Sequence, residues 1–179
     1  MAVMPDRTLS HAVFTAPMDV PIEKVDIADW LFHLPSPEYQ RCAPPDHIAA
    51  GATTTDDGRP MSINVETIGD SLVVQSYVGE VTTPTYCRMV SQSDTFTPRG
   101  RTKVQVVWEL SATRVDDTTS EYRNVVTATA TDEFLTSIAE HGVSFEEAAK
   151  ARSAASTDHC SRETPLYARS TAAHARARA

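Results

Sequence analysis

The sequence predicts an α+β fold in which a curved antiparallel sheet wraps around a long C-terminal helix. Residues 43–131 alternate between polar and apolar positions and are broken by turn residues, which is typical of strands in hairpins. Residues 145–163 contain no Gly or Pro and are rich in Ala, which favours a helix. The 179 residues, 41% of them apolar, suit one domain with one core. We therefore expect a single domain over residues 1–179, with residues 1–8 and 173–179 disordered.

The first 42 residues predict one strand and two helices. Residues 9–18 include Val13-Phe14-Thr15, and this run favours a strand. Pro21 suits the first turn of a helix over residues 21–33, whose apolar side chains form a rough stripe. Ser36-Pro37 can begin a short second helix that ends at Cys42.

Six strands are expected next, separated by turn signals such as Asp56-Asp57-Gly58 and Pro98-Arg99-Gly100. They are predicted over residues 47–55, 61–68, 71–81, 86–97, 101–114 and 121–131. Such a run of hairpins gives an antiparallel sheet with its helices on one side. A strongly curved sheet of this kind leaves a cavity between sheet and helix.

Two helices complete the chain. Asp132 is expected to cap a short helix that ends at Ala139. Ser144 is the expected N-cap of the long helix, and Glu147 three residues later completes a capping box.

Pro165 is expected to end the long helix. Proline disfavours helical geometry at the residue before it, which here is Thr164. Only a short helical segment over residues 166–172 is predicted after it.

Composition excludes several classes of function. The net charge of −8 and the pI of about 5.2 argue against a nucleic-acid partner, which would need a basic face. The three cysteines form no CxxC pair, so free thiols in a reducing compartment are expected. No run suits a signal peptide or a transmembrane helix, and we expect a cytoplasmic protein without a membrane partner. Sequence motifs for a serine-hydrolase elbow, a P-loop or a dinucleotide site are absent.

His159 and Glu163 are the most informative pair in the sequence. They stand four residues apart on the long helix, so their side chains share one face. An imidazole and a carboxylate at this spacing can bind one metal ion or one substrate group. The alternative is a solvated pair in which Glu163 or Asp158 neutralises Arg152 or Arg162.

The order of elements over residues 9–170 resembles the helix-grip fold of the START-like, or SRPBCC, superfamily. That superfamily includes lipid carriers, plant hormone receptors, polyketide aromatase/cyclases and a few hydrolases. The resemblance implies a cavity that binds a small hydrophobic or aromatic molecule.

The spacing of His159 and Glu163 resembles a narrower branch, that of 2,4-diacetylphloroglucinol hydrolase. In that branch a His and a Glu on this helix, with a His and a Glu from the sheet, hold zinc. The enzyme cleaves a carbon–carbon bond between an aryl ring and an acyl group. The resemblance implies His47 and Glu66 as the two sheet ligands and zinc as the cofactor, although that family is longer than this chain.

Both sheet residues have another interpretation. His47, at the start of a strand, can be a buried neutral histidine that binds nothing. Glu66 belongs to the polar face of an alternating strand, which normally meets water but would line the cavity of a helix-grip protein. Glu109 raises the same question in a later strand.

Tyr77 and Tyr122 are candidate catalytic residues beside His159 and Glu163, because a strand tyrosine near the ligand could deliver a proton. Their alternative role is core packing. Phe96, Trp108 and Phe134 could form an apolar wall for an aromatic ligand.

Three functions remain open on this basis. The first is a zinc-dependent hydrolase or lyase that cleaves a carbon–carbon bond of an aromatic or polyketide-like ketone. The second is a metal-free polyketide cyclase, aromatase or isomerase, and the third is a non-catalytic carrier of a hydrophobic metabolite. A homodimer is compatible with each of them.

Overall fold

The computed structural model describes residues 1–178 and shows one curved, seven-stranded antiparallel sheet wrapped on the C-terminal helix, as predicted. The spatial order of the strands is β1-β7-β6-β5-β4-β3-β2, so only the first connection leaves the hairpin pattern. The strands are β1 (Val3–Met18), β2 (His47–Thr54), β3 (Pro60–Ile68), β4 (Ser71–Thr82), β5 (Tyr86–Thr97), β6 (Gly100–Arg114) and β7 (Ser120–Thr131).

The helices all agree with the predicted order, with changes at their ends. They are α1 (Ile27–His33), α2 (Ser36–Cys42), α3 (Asp132–Glu140) and α4 (Phe145–Ala177). The predicted helix over residues 21–33 is interrupted, because a 3₁₀ turn at Ile22–Lys24 is followed by extended backbone at Val25. The Asp26 side chain then accepts a hydrogen bond from the Asp29 backbone N–H and caps α1.

Both chain ends are more regular than predicted. β1 begins at Val3, and residues 3–8 are part of the strand rather than disordered. α4 continues through Pro165 to Ala177, so the predicted end at Thr164 is wrong, as is disorder from residue 173. Residue 179 lies outside the described residues.

Pro165 is tolerated because its side of α4 faces solvent. A proline in a helix removes the hydrogen bond to the carbonyl four residues earlier, at a cost of about 3 kcal/mol. Ser161 and Pro165 are both exposed, so water can hydrate the freed carbonyl. The opposite side of the following turns is buried, at Tyr167, Ala168 and neighbouring residues, and this burial offsets the proline.

The inner face of the sheet carries apolar residues in β6 but polar residues in β3. In β6 the apolar residues face the core, as predicted from their alternation. In β3 the polar residues Ser62, Asn64 and Glu66 are buried instead, so the predicted polar face lines the interior. Glu109 lies on the outer face of β6 and accepts a hydrogen bond from the Tyr86 hydroxyl, which removes it as an alternative to Glu66.

An aromatic cluster sets the rotation of α4 about its own axis. The Trp30 ring from α1 meets the Tyr167 ring edge-on, with 5.2 Å between centroids. Trp30 Nε1 also donates to Ser170 Oγ at 3.0 Å. These contacts direct the helical face that carries His159 and Glu163 towards the sheet.

No helix within residues 1–178 combines the length and the apolar character needed to cross a membrane.

The capping box of α4 is formed as predicted, with Ser144 Oγ accepting from the Glu147 N–H and the Glu147 carboxylate accepting from the Ser144 N–H. We expect Ser144→Ala to lower the free energy of unfolding by about 1 kcal/mol, because the cap is lost. Urea denaturation followed by circular dichroism measures the change. Thr157→Ala, at an exposed position of the same helix, is the control and should change stability by less. Equal effects of both substitutions would contradict a stabilising cap.

Candidate metal centre and cavity

The structure brings together the four residues that the resemblance implied as ligands. His47 and Glu66 are opposite each other in the β2–β3 register, and His159 and Glu163 lie one turn apart on α4. All four are buried, and their potential ligand atoms lie within 4.8 Å of one another.

The four nitrogen–oxygen distances within this cluster are compatible with one tetrahedral metal site. Each of the two Nε2 atoms lies 3.3 Å from each of the two Oε2 atoms, which gives four equal edges. Ligand atoms about 2.0–2.1 Å from a tetrahedral zinc are separated by about 3.3–3.4 Å. Square-planar coordination at the same bond length would give edges of only about 2.9 Å.

The two imidazoles direct their free nitrogens at the centre of the cluster. His47 Nδ1 donates to the Tyr39 carbonyl oxygen at 2.7 Å, and His159 Nδ1 donates to Asp46 Oδ2 at 2.9 Å. Both Nε2 atoms are buried and make no hydrogen bond of regular geometry, although each lies 3.3 Å from both carboxylates. A histidine that donates through one nitrogen and leaves the other free is the usual arrangement of a metal ligand.

The carboxylates are held by a further layer of side chains. The Tyr39 hydroxyl donates to Glu66 Oε2 at 3.2 Å, and its ring stacks on the His47 ring at 3.8 Å. Asn124 Nδ2 donates to Glu163 Oε1 at 3.0 Å. Trp108 Nε1 in turn donates to Asn124 Oδ1 at 2.9 Å. Every residue of the cluster therefore has a partner that fixes its orientation.

The charges of the cluster compensate one another. Burial lowers the pKa of His47, but the carboxylates of Glu163 and Glu66 outweigh burial and raise it to about 9. Burial also lowers the pKa of His159, and the same carboxylates raise it to about 11. Burial raises the pKa of both glutamates, but the imidazoles outweigh it and hold each pKa well below its ordinary value. The four groups thus form two balanced charge pairs.

A small cavity of about 30 Å³ borders the cluster, which is room for a water molecule or two. Its wall is mostly polar, which differs from the hydrophobic cavity that the sequence led us to expect. Among the expected apolar residues, Trp108 lines it, Phe96 is exposed, and Phe134 packs against the core. The lining residues are Asn64, Glu66, Ile68, Gln75, Tyr77, Trp108, Val126, Arg152, Ser156, His159, Cys160, Glu163 and Tyr167.

The two predicted proton donors have different positions. Tyr77 lines the cavity, and its oxygen accepts a hydrogen bond from Gln75 Nε2 at 2.9 Å, so its own O–H is free to donate. Tyr122 does not line the cavity. Its ring packs against the Trp30 ring in the core, with 6.4 Å between the ring centroids, so the structure does not bring it to the cluster and its role as a proton donor stays a prediction.

Comparison with solved structures identifies the fold. The chain superposes on the Zhui aromatase/cyclase from Streptomyces sp. R1128 with a TM-score of 0.62 and 11% identity, over 94% of each chain. It is also similar to the di-domain ARO/CYC StfQ of the steffimycin pathway, with a TM-score of 0.54 and 14% identity, over 98% of this chain and 55% of that one. A protein from Thermus thermophilus gives a TM-score of 0.51 and 9% identity, over 94% of this chain and 99% of that one.

The chain has the START-like helix-grip fold. At these identities the likeness concerns the fold alone. No model of a known protein family matches the sequence, and no curated protein matches it. The narrower resemblance to 2,4-diacetylphloroglucinol hydrolase stays a prediction.

Four residues around this helix-grip site escaped the sequence analysis. Tyr39 and Asp46 precede His47 closely, but their contacts depend on how α2 folds back onto β2. The contact of Asn124 with Glu163 could be predicted only once the register of β7 was known. Tyr167 is four residues beyond Glu163 on the same helical face, and it was missed because Pro165 was expected to end the helix.

Asn124 links the helix-grip sheet to α4, because it accepts from Trp108 and donates to Glu163. We expect Asn124→Leu to lower the free energy of unfolding by about 2–4 kcal/mol, since a buried indole N–H and a buried carboxylate oxygen lose their partner. Urea denaturation measures this. Thr127→Val in the same strand removes only an exposed contact to His11 and should cost less than about 1 kcal/mol. A similar loss in both variants would argue against the link.

Proposed function

We propose that this chain is a metal-dependent enzyme that acts on a carbonyl group of a small, polyketide-like ketone. The observation that carries the proposal is the set of four 3.3 Å contacts around two buried, unbonded imidazole nitrogens. Two imidazoles and two carboxylates suit zinc best among the common divalent metals. His47, Glu66, His159 and Glu163 would hold it.

The residues of the chain supply binding, orientation and a proton. A bound zinc ion would polarise a ketone carbonyl and stabilise negative charge that develops on its oxygen. Burial, and next the carboxylates of Glu66 and Glu163, raise the pKa of Tyr77 well above its ordinary value. Tyr77 therefore keeps its proton at neutral pH and can donate it to a carbanion or alkoxide in the cavity. Gln75 holds the Tyr77 oxygen in place.

Hydrolytic cleavage of an aryl–acyl carbon–carbon bond is the reaction that the zinc-site resemblance favours. In such a cleavage a water molecule would attack the acyl carbonyl, the aryl–acyl bond would break, the acyl group would leave as a carboxylic acid, and the aryl carbon would take a proton, for which Tyr77 is the donor in the cavity wall. The cavity borders Glu66, His159 and Glu163, so a substrate would approach the cluster from that side and would widen the cavity as it binds, since the space present holds only one or two water molecules.

A metal-free polyketide cyclase or aromatase is the second candidate. The fold likeness to Zhui and StfQ supports it more directly than it supports hydrolysis, since both are aromatase/cyclases. In this case the charged imidazoles and Tyr77 would act as acids and bases on an enolisable ketone. Metal dependence separates the two candidates.

Zinc binding is the first test. We expect protein purified without a His tag to bind about one equivalent of zinc, measured by mass spectrometry of the metal. His159→Ala should abolish stoichiometric binding, because one of four ligands is lost. Asp46→Ala should weaken zinc affinity about 10- to 100-fold, since it orients His159. His141→Ala, at an exposed helix end, is the control. A wild-type protein that takes up no zinc would overturn the metal proposal.

Turnover is the second test, on a panel of acylated phenols and β-diketones with products followed by liquid chromatography. We expect Tyr77→Phe to lower turnover about 10²- to 10⁴-fold, because the proton donor is lost, with zinc content unchanged. Tyr86→Phe, which changes a tyrosine on the outer face, should stay near wild type.

A chelator should abolish this turnover, and zinc should restore it. Ring closure that continues in chelator would favour the metal-free cyclase instead. Unchanged products with Tyr77→Phe would remove Tyr77 from either mechanism.

A further inference from the structure

Arg152 lines the cavity but has no partner there. It lies on α4 seven residues before His159, which is two helical turns, so it shares the inward face of the helix. Its Nε atom is buried without a hydrogen bond. Among residues 1–178, no carboxylate lies within 4.0 Å of its guanidinium nitrogens. The residue as a whole is half-buried, so this part of its cationic group is cut off from water without a partner that compensates its charge.

Arg162 and Arg176 on α4 and Arg178 at its C-cap have partners, whereas Arg169 is exposed to solvent. Arg162 Nη2 lies 2.6 Å from Asp46 Oδ2 and 2.9 Å from Asp158 Oδ2. Arg176 Nη1 donates to the Asp19 carbonyl oxygen at 2.8 Å, and Arg178 Nη1 lies 2.6 Å from Asp29 Oδ2. Arg152 differs from these residues because it lines the interior cavity and has neither a side-chain partner nor full exposure to solvent.

The charge of the cavity depends on Arg152. The four cluster groups balance to zero as two imidazolium–carboxylate pairs, and they also balance as two neutral imidazoles and two carboxylates around one divalent cation. The remaining polar groups near Arg152, including Asn64, Gln75 and Ser156, are uncharged. The interior thus carries one excess positive charge in either condition, so an anion is the ligand that would neutralise it.

We propose that Arg152 binds a carboxylate group of the substrate, which makes the substrate a keto acid or a carboxylated aryl ketone. This inference rests on the proposed function for the site. The planar guanidinium fork matches a carboxylate with two parallel hydrogen bonds. The amides of Asn64 and Gln75 lie in the same wall and are suited to a planar, hydrogen-bonding group. Because Arg152 and Glu66 line one cavity, a bound carboxylate would hold the adjoining carbonyl near the cluster.

Acetate and its neutral isostere acetamide test the assignment. We expect the full-length protein to bind acetate saturably, measured by ligand-detected NMR at constant ionic strength, and to bind acetamide at least tenfold more weakly. Arg152→Met should weaken acetate binding at least tenfold, and Arg152→Lys should retain part of it. Arg169→Met removes an exposed arginine from the same helix and should bind acetate like wild type.

Each titration is run on zinc-loaded and on metal-free protein, with zinc content measured on the same samples. Failure to bind zinc would contradict the proposed function, while acetate binding to metal-free protein still tests Arg152. In the absence of acetate, Arg152→Met should raise the melting temperature of the protein, because an uncompensated charge is removed. If Arg152→Met does not fold, Arg152→Gln takes its place in both measurements. Acetate binding by Arg152→Met within twofold of wild type would overturn the inference. No binding by wild type, or equal binding of acetamide, would do the same.

Discussion

The mutual compensation of four buried ionisable groups is the constraint on which the rest of this structure depends. Burying two carboxylates and two imidazoles is unfavourable for each group alone, and only their contacts at 3.3 Å offset the lost hydration. Those contacts require β2 and α4 to meet at one place. The β2–β3 register fixes His47 against Glu66, and the packing of Trp30 on Tyr167 fixes the rotation of α4. A shift of either element would leave a buried charge without its partner.

A purely structural ion-pair network explains this arrangement less well than a metal site. Buried ion pairs contribute little net stability compared with apolar residues of similar volume. A network kept for stability would also make well-aligned hydrogen bonds, yet both Nε2 atoms lack one. The outer nitrogens of both histidines, by contrast, are tied to Tyr39 and Asp46 with good geometry. Orientation from outside, with both Nε2 atoms directed at one centre, is what metal ligands need.

Alternation, turn residues and helical spacing are local signals, and they predicted the sheet, the order of the elements and the pair of His159 and Glu163. The other two cluster residues, His47 and Glu66, were implied by the resemblance of that pair to a zinc-binding branch. The sequence was a poorer guide to features that depend on tertiary packing, such as where α4 ends and which carboxylates face the interior. Pro165 ends a helix in isolation, but burial of Tyr167 and its neighbours carries α4 past it. Glu66 and Glu109 have similar strand contexts, and only the side of the sheet that meets α4 separates them. Arg152 was detectable in principle, since it precedes His159 by two turns, yet whether an arginine finds a partner depends on distant residues.

The polar cavity also bears on how four ligands could serve catalysis. Four protein ligands around a tetrahedral zinc ordinarily make a closed, structural site, whereas a catalytic site keeps one position open. Here the cavity borders three of the four residues that would hold the metal, so a substrate would reach the cluster from that side. Glu66 and Glu163 each have one side-chain donor, Tyr39 and Asn124 respectively, and both share the cavity wall with Arg152. A carboxylated substrate that neutralises Arg152 would remove a favourable charge from beside Glu66 at the moment its ketone arrives. Substrate charge and access to the cluster would then be coupled through Arg152 and Glu66.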